Sequence, residues 1–208
     1  GSAELELGDY ESAKADFDQA ISMDPKNYDR LIEIYEALAA HGYREVGQEY
    51  LQNVLDTAKQ LDAYDSGRIY YYLGEYQKAY LALDEARDKG GADSYLYLGR
   101  AYAATGDYNY ASSVYNNYLS KQGPNAEIYN ELGLCEMAKK EYQNALAAFQ
   151  AGKQIEGNSL MQTLCFNEIV AYEYLEDYQQ AEVLMNAYLQ NYPDDQTAIR
   201  EQQFLSTR

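Results

Sequence analysis

Residues 95–118 read YLYLGRAYAATGDYNYASSVYNNY, and they contain the pattern around which the chain is organised. Apolar and aromatic side chains recur three and four residues apart on both sides of Gly106, a spacing that places them on one face of a helix. Between the two patterns, Gly106 favours a helix end and Asp107 can cap the start of the next helix. The segment therefore predicts two helices joined by a tight turn.

The same turn recurs along the 208 residues of the chain. The copies, some of them degenerate, are Gly8-Asp9-Tyr10, Gly42-Tyr43-Arg44, Gly74-Glu75-Tyr76, Gly106-Asp107-Tyr108, Lys140-Glu141-Tyr142 and Glu176-Asp177-Tyr178. The third residue of each copy, the turn residue, falls at position 10, 44, 76, 108, 142 or 178, so the interval is 32–36 residues. A period of this size indicates a repeat architecture, in which each unit buries its apolar face against its neighbours.

Small residues mark the places where two helices are expected to touch. A small residue follows each turn residue by three positions, at Ala13, Gly47, Ala79, Ala111, Ala145 and Ala181. A glycine lies nine positions before the turn residue in three copies, at Gly67, Gly99 and Gly133. Because glycine inside a helix costs about 1 kcal/mol relative to alanine, it predicts a close approach by another helix. Tyr35 and Ile169 occupy this position in two other copies, which predicts different packing there.

This pattern resembles the tetratricopeptide repeat, whose signature is nearly complete in the fourth copy: Tyr95, Leu98, Gly99, Tyr102, Gly106, Tyr108, Ala111 and Tyr115. The resemblance implies an all-α fold, a right-handed α-α superhelix of about six helix-turn-helix repeats with a C-terminal closing helix. It implies one array over residues 1–208, with repeats at about 1–27 (partial), 28–59, 60–91, 92–125, 126–161 and 162–195 and a closing helix at about 196–206. Glu136 departs from the signature, where an aromatic residue is usual. Since the chain begins partway through a repeat, we expect a part of a longer protein, by resemblance a bacterial one.

Composition and motifs argue against several functions. The net charge of −18 repels phosphate, so nucleic acid and anionic membranes are not expected as partners. No run approaches the roughly 18 apolar residues of a transmembrane helix, so direct membrane insertion is not expected. His41 is the single histidine and has no nucleophile motif beside it, while Cys135 and Cys165 lack metal-binding spacing. We therefore predict no catalytic, metal or cofactor site.

In tetratricopeptide arrays, the first helices of successive hairpins line a concave groove, so the resemblance implies a peptide-binding site there. Its positions lie twelve, eight, five and four residues before each turn residue. The candidate residues are Tyr64, Arg68, Tyr71, Tyr72, Leu96, Arg100, Asn130, Leu134, Met137, Phe166, Val170 and Tyr174. Arg68 and Arg100 suit a ligand carboxylate, but both could instead pair with Asp or Glu of this acidic chain. The apolar residues from Leu134 to Val170 could line the groove or pack against neighbouring helices.

The helix after the first turn is expected to lack part of its cover. Only residues 3–7 precede the turn at Tyr10, so we predict that the face formed by Ala13, Phe17 and Ala20 is partly uncovered. Such a stripe would fray or pair with a second copy of the chain, giving a possible homo-oligomer.

The sequence favours a non-enzymatic scaffold that binds an unidentified protein or peptide in its concave groove. Two alternatives stay open: a self-assembly module, and the regulatory array of a larger protein whose catalytic domain lies elsewhere. Localisation also stays open between the cytoplasm and the cell envelope, where the chain would be a lipoprotein ectodomain, since the native N-terminus is expected to be missing.

Overall fold

A computed structural model describes residues 1–87 and 91–207, and helices are the only regular secondary structure in these ranges. In residues 1–87 they are α1 (Ser2–Glu6), α2 (Tyr10–Met23), α3 (Tyr28–Ala40), α4 (Arg44–Thr57), α5 (Ala63–Tyr72) and α6 (Tyr76–Ala86). In residues 91–207 they are α7 (Gly91–Ala104), α8 (Tyr108–Gln122), α9 (Ala126–Ala138), α10 (Tyr142–Lys153), α11 (Met161–Tyr174), α12 (Tyr178–Asn191) and α13 (Gln196–Leu205). The predicted all-helical fold is confirmed.

The helices belong to two compact units, Gly1–Lys89 and Gly90–Arg208. Hairpins in the first unit pair α1 with α2, α3 with α4 and α5 with α6. Those in the second unit pair α7 with α8, α9 with α10 and α11 with α12, and α13 packs on α12. Three residues separate the two helices of each hairpin, which makes the partners antiparallel. We call α3, α5, α7, α9 and α11 the first helices of their hairpins.

The turns have the backbone geometry that their sequence predicts. Gly74 and Gly106 adopt φ angles of 80° and 85°, in the left-handed region that glycine occupies without strain. After Gly106, the Asp107 carboxylate accepts a hydrogen bond from the backbone N–H of Tyr110 and so caps α8. Glu176, which stands in the glycine position of the sixth copy, adopts the same kind of conformation at φ 60°. The hairpin packing therefore imposes the turn even where glycine is absent.

Glycines permit the close helix contacts. A Cβ atom added to Gly99 would lie 2.3 Å from Cζ of Tyr115, and one added to Gly133 would lie 2.3 Å from Cε1 of Phe149. In the second hairpin Tyr35 takes the glycine position, and Gly47 faces it at the position where the next three hairpins have alanine. A Cβ atom on Gly47 would lie 2.9 Å from Cδ2 of Tyr35. The departure predicted at Tyr35 is thus compensated on the partner helix.

The predicted uncovered N-terminal face is wrong. Ala13 is fully buried and Phe17 is 6% exposed. They pack with Leu5 of the short helix α1 and with Ile34 and Leu38 of α3. The five residues of α1 therefore cover one side of this face, and α3 of the next hairpin covers the other side. Ala20, the third residue of the stripe, is half-buried and packs against the same group.

Two buried carboxylates in the second unit have internal partners. Glu136, at the position where an aromatic residue is usual, accepts a hydrogen bond from the Ser112 hydroxyl at 2.8 Å and pairs with Lys139 at 2.7 Å. Glu168 pairs with Lys153 at 2.5 Å. The Ser112 bond joins α8 to α9 and the Lys153 pair joins α10 to α11, which explains how polar residues occupy the helix interfaces.

Candidate binding face of the first helices

Arg68 on α5 is held by carboxylates of its own unit. Its Nη1 donates to Asp29 on α3 and its Nη2 donates to Asp65, both at 2.5 Å. The Tyr64 ring lies 4.3 Å from its Cζ atom, a cation–π distance. Burial of the guanidinium disfavours its charge, but the bonds to Asp29 and Asp65 outweigh this and raise the pKa of Arg68. Only 7% of the residue is exposed, so it ties α5 to α3.

An aromatic cluster lies on the same helix. The Tyr72 hydroxyl donates to Glu36 of α3 at 2.6 Å. Its ring centroid lies 5.2 Å from that of Tyr35 and 5.3 Å from that of Tyr71, in tilted and edge-on arrangements. Tyr71 and Tyr72 are half-buried. The predicted tyrosines of the first unit therefore form one packed group whose outer edges reach solvent.

Arg100 on α7 is paired in the same manner in the second unit. Its Nη2 donates to Glu131 at 2.7 Å and to Glu127 at 3.0 Å, both on α9. Its Nε also donates to Glu131, at 3.0 Å. Burial opposes the charge, yet the field of Glu131 outweighs it and raises the pKa of Arg100. Both arginines therefore donate to carboxylates of the chain itself the hydrogen bonds that could hold a ligand carboxylate. This is the alternative to ligand binding that the sequence left open.

Two further predicted residues lie inside the second unit. Leu96 is 3% exposed and belongs to the core. Asn130 is 8% exposed, and its Oδ1 accepts a hydrogen bond from Nδ2 of Asn167 at 2.9 Å. This bond joins α9 to α11. Leu96 and Asn130 therefore hold the first helices together and present almost no surface to a ligand.

The remaining predicted residues form an accessible apolar face on α9 and α11. Leu134 is 42% exposed and Tyr174 is 58% exposed, while Met137, Phe166 and Val170 are half-buried. Leu134 and Val170 each lie eight residues before their turn residue, so they have equivalent positions on neighbouring first helices. We call Leu134, Met137, Phe166, Val170 and Tyr174 the apolar face.

A cavity of about 290 Å³ adjoins the apolar face at Phe166. It lies between the start of α11 and the start of α13, and its other lining residues include Asn167, Tyr188 and Asp195. The ring centroid of Phe166 is 5.7 Å from that of Tyr188 in an edge-on arrangement. The Tyr188 hydroxyl donates to Asp195 at 2.6 Å, which fixes the far wall.

A carboxylate pair lies towards the other end of α11. Burial and the neighbouring Glu201 of α13 raise the pKa of Glu173 to about 7. The Oε1 atom of Glu173 is buried and has no hydrogen-bond partner within the described residues. Glu173 occupies a predicted groove position, five residues before its turn residue, but Glu201 lies outside the repeated turn pattern. Sequence reasoning has no signal for this pair, because α13 precedes no further copy of the turn.

The described residues give little support for a metal site, a membrane-spanning helix or a reactive histidine or cysteine. No group of three or more His, Cys, Asp or Glu residues there is arranged to hold a metal ion. None of the described helices combines the length and the apolar character needed to cross a bilayer. The His41 ring lies at the end of α3, with Nδ1 2.9 Å from the Ala37 carbonyl oxygen. Burial raises the pKa of the Cys135 thiol to about 12, which keeps it protonated and unreactive.

Family models described as tetratricopeptide repeat match residues 1–27, 64–111 and 98–158. The matches leave out residues 28–63, the segment that contains Tyr35 and Gly47, and residues 159–208, which contain α11, α12 and α13. The sequence has no significant match among curated proteins.

Solved structures share the fold at low sequence identity. A tetratricopeptide repeat protein of Thermus thermophilus, TTC0263, superposes with a TM-score of 0.66 at 16% identity, over 87% of this chain and 100% of that one. YrrB, described as having an unusual peptide-binding site, gives 0.59 at 18% identity, over 90% and 97%. A chain of the APC/C hetero-tetramer Cut9–Hcn1 gives 0.64 at 17% identity, over 98% of this chain but 41% of that one. Our chain thus spans less than half of the Cut9–Hcn1 chain that it matches.

Proposed function

We propose that this chain, which belongs to the tetratricopeptide repeat family, is a non-enzymatic scaffold that binds a protein or peptide partner on its first helices. The repeat fold supports a protein-interaction scaffold in general. The site within it follows from which first-helix side chains are engaged internally and which are left accessible.

The observation that carries the proposal is the apolar face of the second unit. Leu134 and Val170 repeat at the same position on neighbouring first helices, and Tyr174 lies one helical turn beyond Val170. An exposed apolar surface rimmed by polar residues is typical of interaction sites. YrrB, with its peptide-binding site, supplies a precedent for peptide binding on this fold.

The two arginines have a different role in this proposal. Arg68 and Arg100 hold neighbouring first helices in place through carboxylates of the chain itself. The half-buried rings of Tyr64, Tyr71 and Tyr72 give the first unit a contact surface of its own, because tyrosine combines an apolar ring with a polar tip. We therefore centre binding on the apolar face rather than on the arginines.

Selection from a peptide-display library tests the proposal. Peptides that bind the unmodified chain should lose binding to Leu134→Asp and Val170→Asp variants, since a charge on the apolar face opposes burial. Val183→Asp is the matched control, because Val183 is 58% exposed on α12, a second helix. Circular dichroism verifies that each variant remains folded. Equal loss of binding in all three variants, or an absence of selected peptides, would contradict the proposal.

Light scattering separates partner binding from self-assembly. The scaffold proposal expects a monomer, because the N-terminal stripe is covered and a charge of −18 on each copy opposes pairing. A stable dimer that Val170→Asp dissociates would assign the apolar face to contact between copies of the chain.

A further inference from the structure

Building on the proposed function, we infer that the apolar face of the second unit binds an extended peptide segment in which an apolar side chain is followed, about three residues later, by lysine or arginine. The apolar side chain contacts Phe166 beside its cavity, and the cation lies against Glu173 and Glu201.

The apolar end of this site is formed by α11 and the start of α13. Phe166 is half-buried and lines a cavity of about 290 Å³. The cavity is otherwise lined by Tyr188 and by the polar residues Gln162, Thr163, Asn167, Asp195 and Thr197, so an apolar ligand side chain would contact the two aromatic rings at its wall. The edge-on contact of Phe166 with Tyr188, and the bond from Tyr188 to Asp195, hold both aromatic walls in position.

The basic preference comes from carboxylate charge, present above about pH 7, that no described lysine or arginine offsets. Glu173 and Glu201 contact each other across α11 and α13, and neither pairs with a described lysine or arginine. Glu173 also lies in the last turn of α11, where the helix dipole favours a cation. Every other buried or half-buried carboxylate discussed above has a hydrogen-bonded partner, as Glu131 has in Arg100 and Glu168 has in Lys153. Both residues are half-buried, so a cation supplied by a ligand would approach the pair from its solvent side and offset its charge.

The spacing follows from helix geometry. Phe166, Val170 and Glu173 lie on one face of α11, because they are separated by four and three residues. The seven residues from Phe166 to Glu173 correspond to about 10 Å along the axis at roughly 1.5 Å per residue. An extended peptide covers about 10 Å in three residues, whereas a helical one needs about seven. Val170 lies between Phe166 and Glu173 and contacts the ligand residues between the apolar side chain and the cation.

Charge complementarity selects the class of partner. The net charge of −18 attracts a basic segment from a distance and repels an acidic one. A second copy of the chain carries the same charge and is disfavoured for the same reason. The apolar contacts determine where the segment binds, and the carboxylate pair selects a segment that has lysine or arginine at the right distance.

Arrays of short acetylated peptides provide the test. Each peptide has one leucine or phenylalanine followed, at each separation up to about eight residues, by lysine or by its uncharged analogue norleucine, on a neutral polar background. The chain is applied unmodified and as the Glu173→Gln, Glu201→Gln and Val170→Asp variants. Glu182→Gln is the matched control, because Glu182 is an exposed glutamate on α12.

We expect the strongest binding at a separation of about three, with lysine favoured over norleucine by about tenfold, as for a hydrogen bond to a charged group. Glu173→Gln should reduce that ratio to less than about threefold, whereas Glu182→Gln should leave it unchanged. Peptides that depend on Val170 but show no lysine preference would overturn this inference and leave the scaffold proposal standing. A preference at about seven residues would overturn the extended conformation. An absence of binding that depends on Val170 would overturn both.

Discussion

Replacing Glu173 by glutamine should stabilise the protein at high pH. Burial and the adjacent Glu201 raise the pKa of the Glu173 carboxyl from 4.5 to about 7. The unfolded chain therefore releases this proton at a lower pH than the folded chain does. The resulting destabilisation is absent below about pH 4, grows as the pH rises through the interval between the two pKa values, and is complete above about pH 7. Glutamine keeps the shape and removes the charge.

The size of the effect follows from the same pKa values. A rise from 4.5 to about 7 corresponds to about 3 kcal/mol. Because the side chain is only half-buried, solvent screening reduces this to about 1–2 kcal/mol of added stability at about pH 8. At about pH 4 the variant and the unmodified chain should be equally stable.

Urea unfolding followed by far-UV circular dichroism measures the difference at both pH values. Glu182→Gln, an exposed change on α12, should alter stability by no more than about 0.5 kcal/mol at either pH. If Glu173→Gln destabilised the chain at about pH 8, or acted equally at both pH values, then Glu173 would be ionised and satisfied in the folded protein. The assignment of an unneutralised carboxylate pair would then fail.

Three further measurements probe other parts of the structure. Arg68→Ala should cost about 1–3 kcal/mol in urea unfolding, because it removes the hydrogen bonds of the buried guanidinium to the half-buried Asp65 and the exposed Asp29; a loss under about 0.5 kcal/mol would return Arg68 to the candidates for ligand binding. Gly133→Ala should destabilise by about 1–3 kcal/mol despite the better helix propensity of alanine, because the new Cβ meets the Phe149 ring; unchanged or increased stability would show that the ring moves aside freely. A thiol reagent should modify the half-buried Cys165 well before the buried Cys135, whose raised pKa opposes thiolate formation. Mass spectrometry of the C135S and C165S variants measures the two rates, and faster modification of Cys135 would contradict this expectation.

The fold was predictable because its signals are local. Gly106 and Asp107 specify a turn from adjacent residues, and the helices on both sides have apolar residues at helical spacing. The repeated interval then indicates that neighbouring hairpins within a unit pack on one another. The turns that lack glycine, such as the one at Glu176, were still recognisable because their position in the period was unchanged.

The binding face was less predictable, because helical spacing gives the direction of a side chain but not its partner. Arg100 lies at the predicted position, yet its partners Glu127 and Glu131 are 27 and 31 residues away on another helix. The contact between Glu173 and Glu201 likewise depends on how α13 packs, which no repeated motif specifies. Sequence reasoning could list the candidates, but the pairing of charges required the tertiary structure.

The close packing of Tyr35 on Gly47 has a consequence for how substitutions in such hairpins should be combined. Gly47 makes room for Tyr35 at the helix interface, so the residue that fits at either position depends on the residue at the other. Tyr35→Gly alone would leave a void and Gly47→Ala alone would force the ring aside, so each single change is unfavourable. Only coordinated replacement of both residues could convert this hairpin to the arrangement of its neighbours. The second hairpin therefore packs in its own way, and each single substitution towards its neighbours gives a variant that packs poorly.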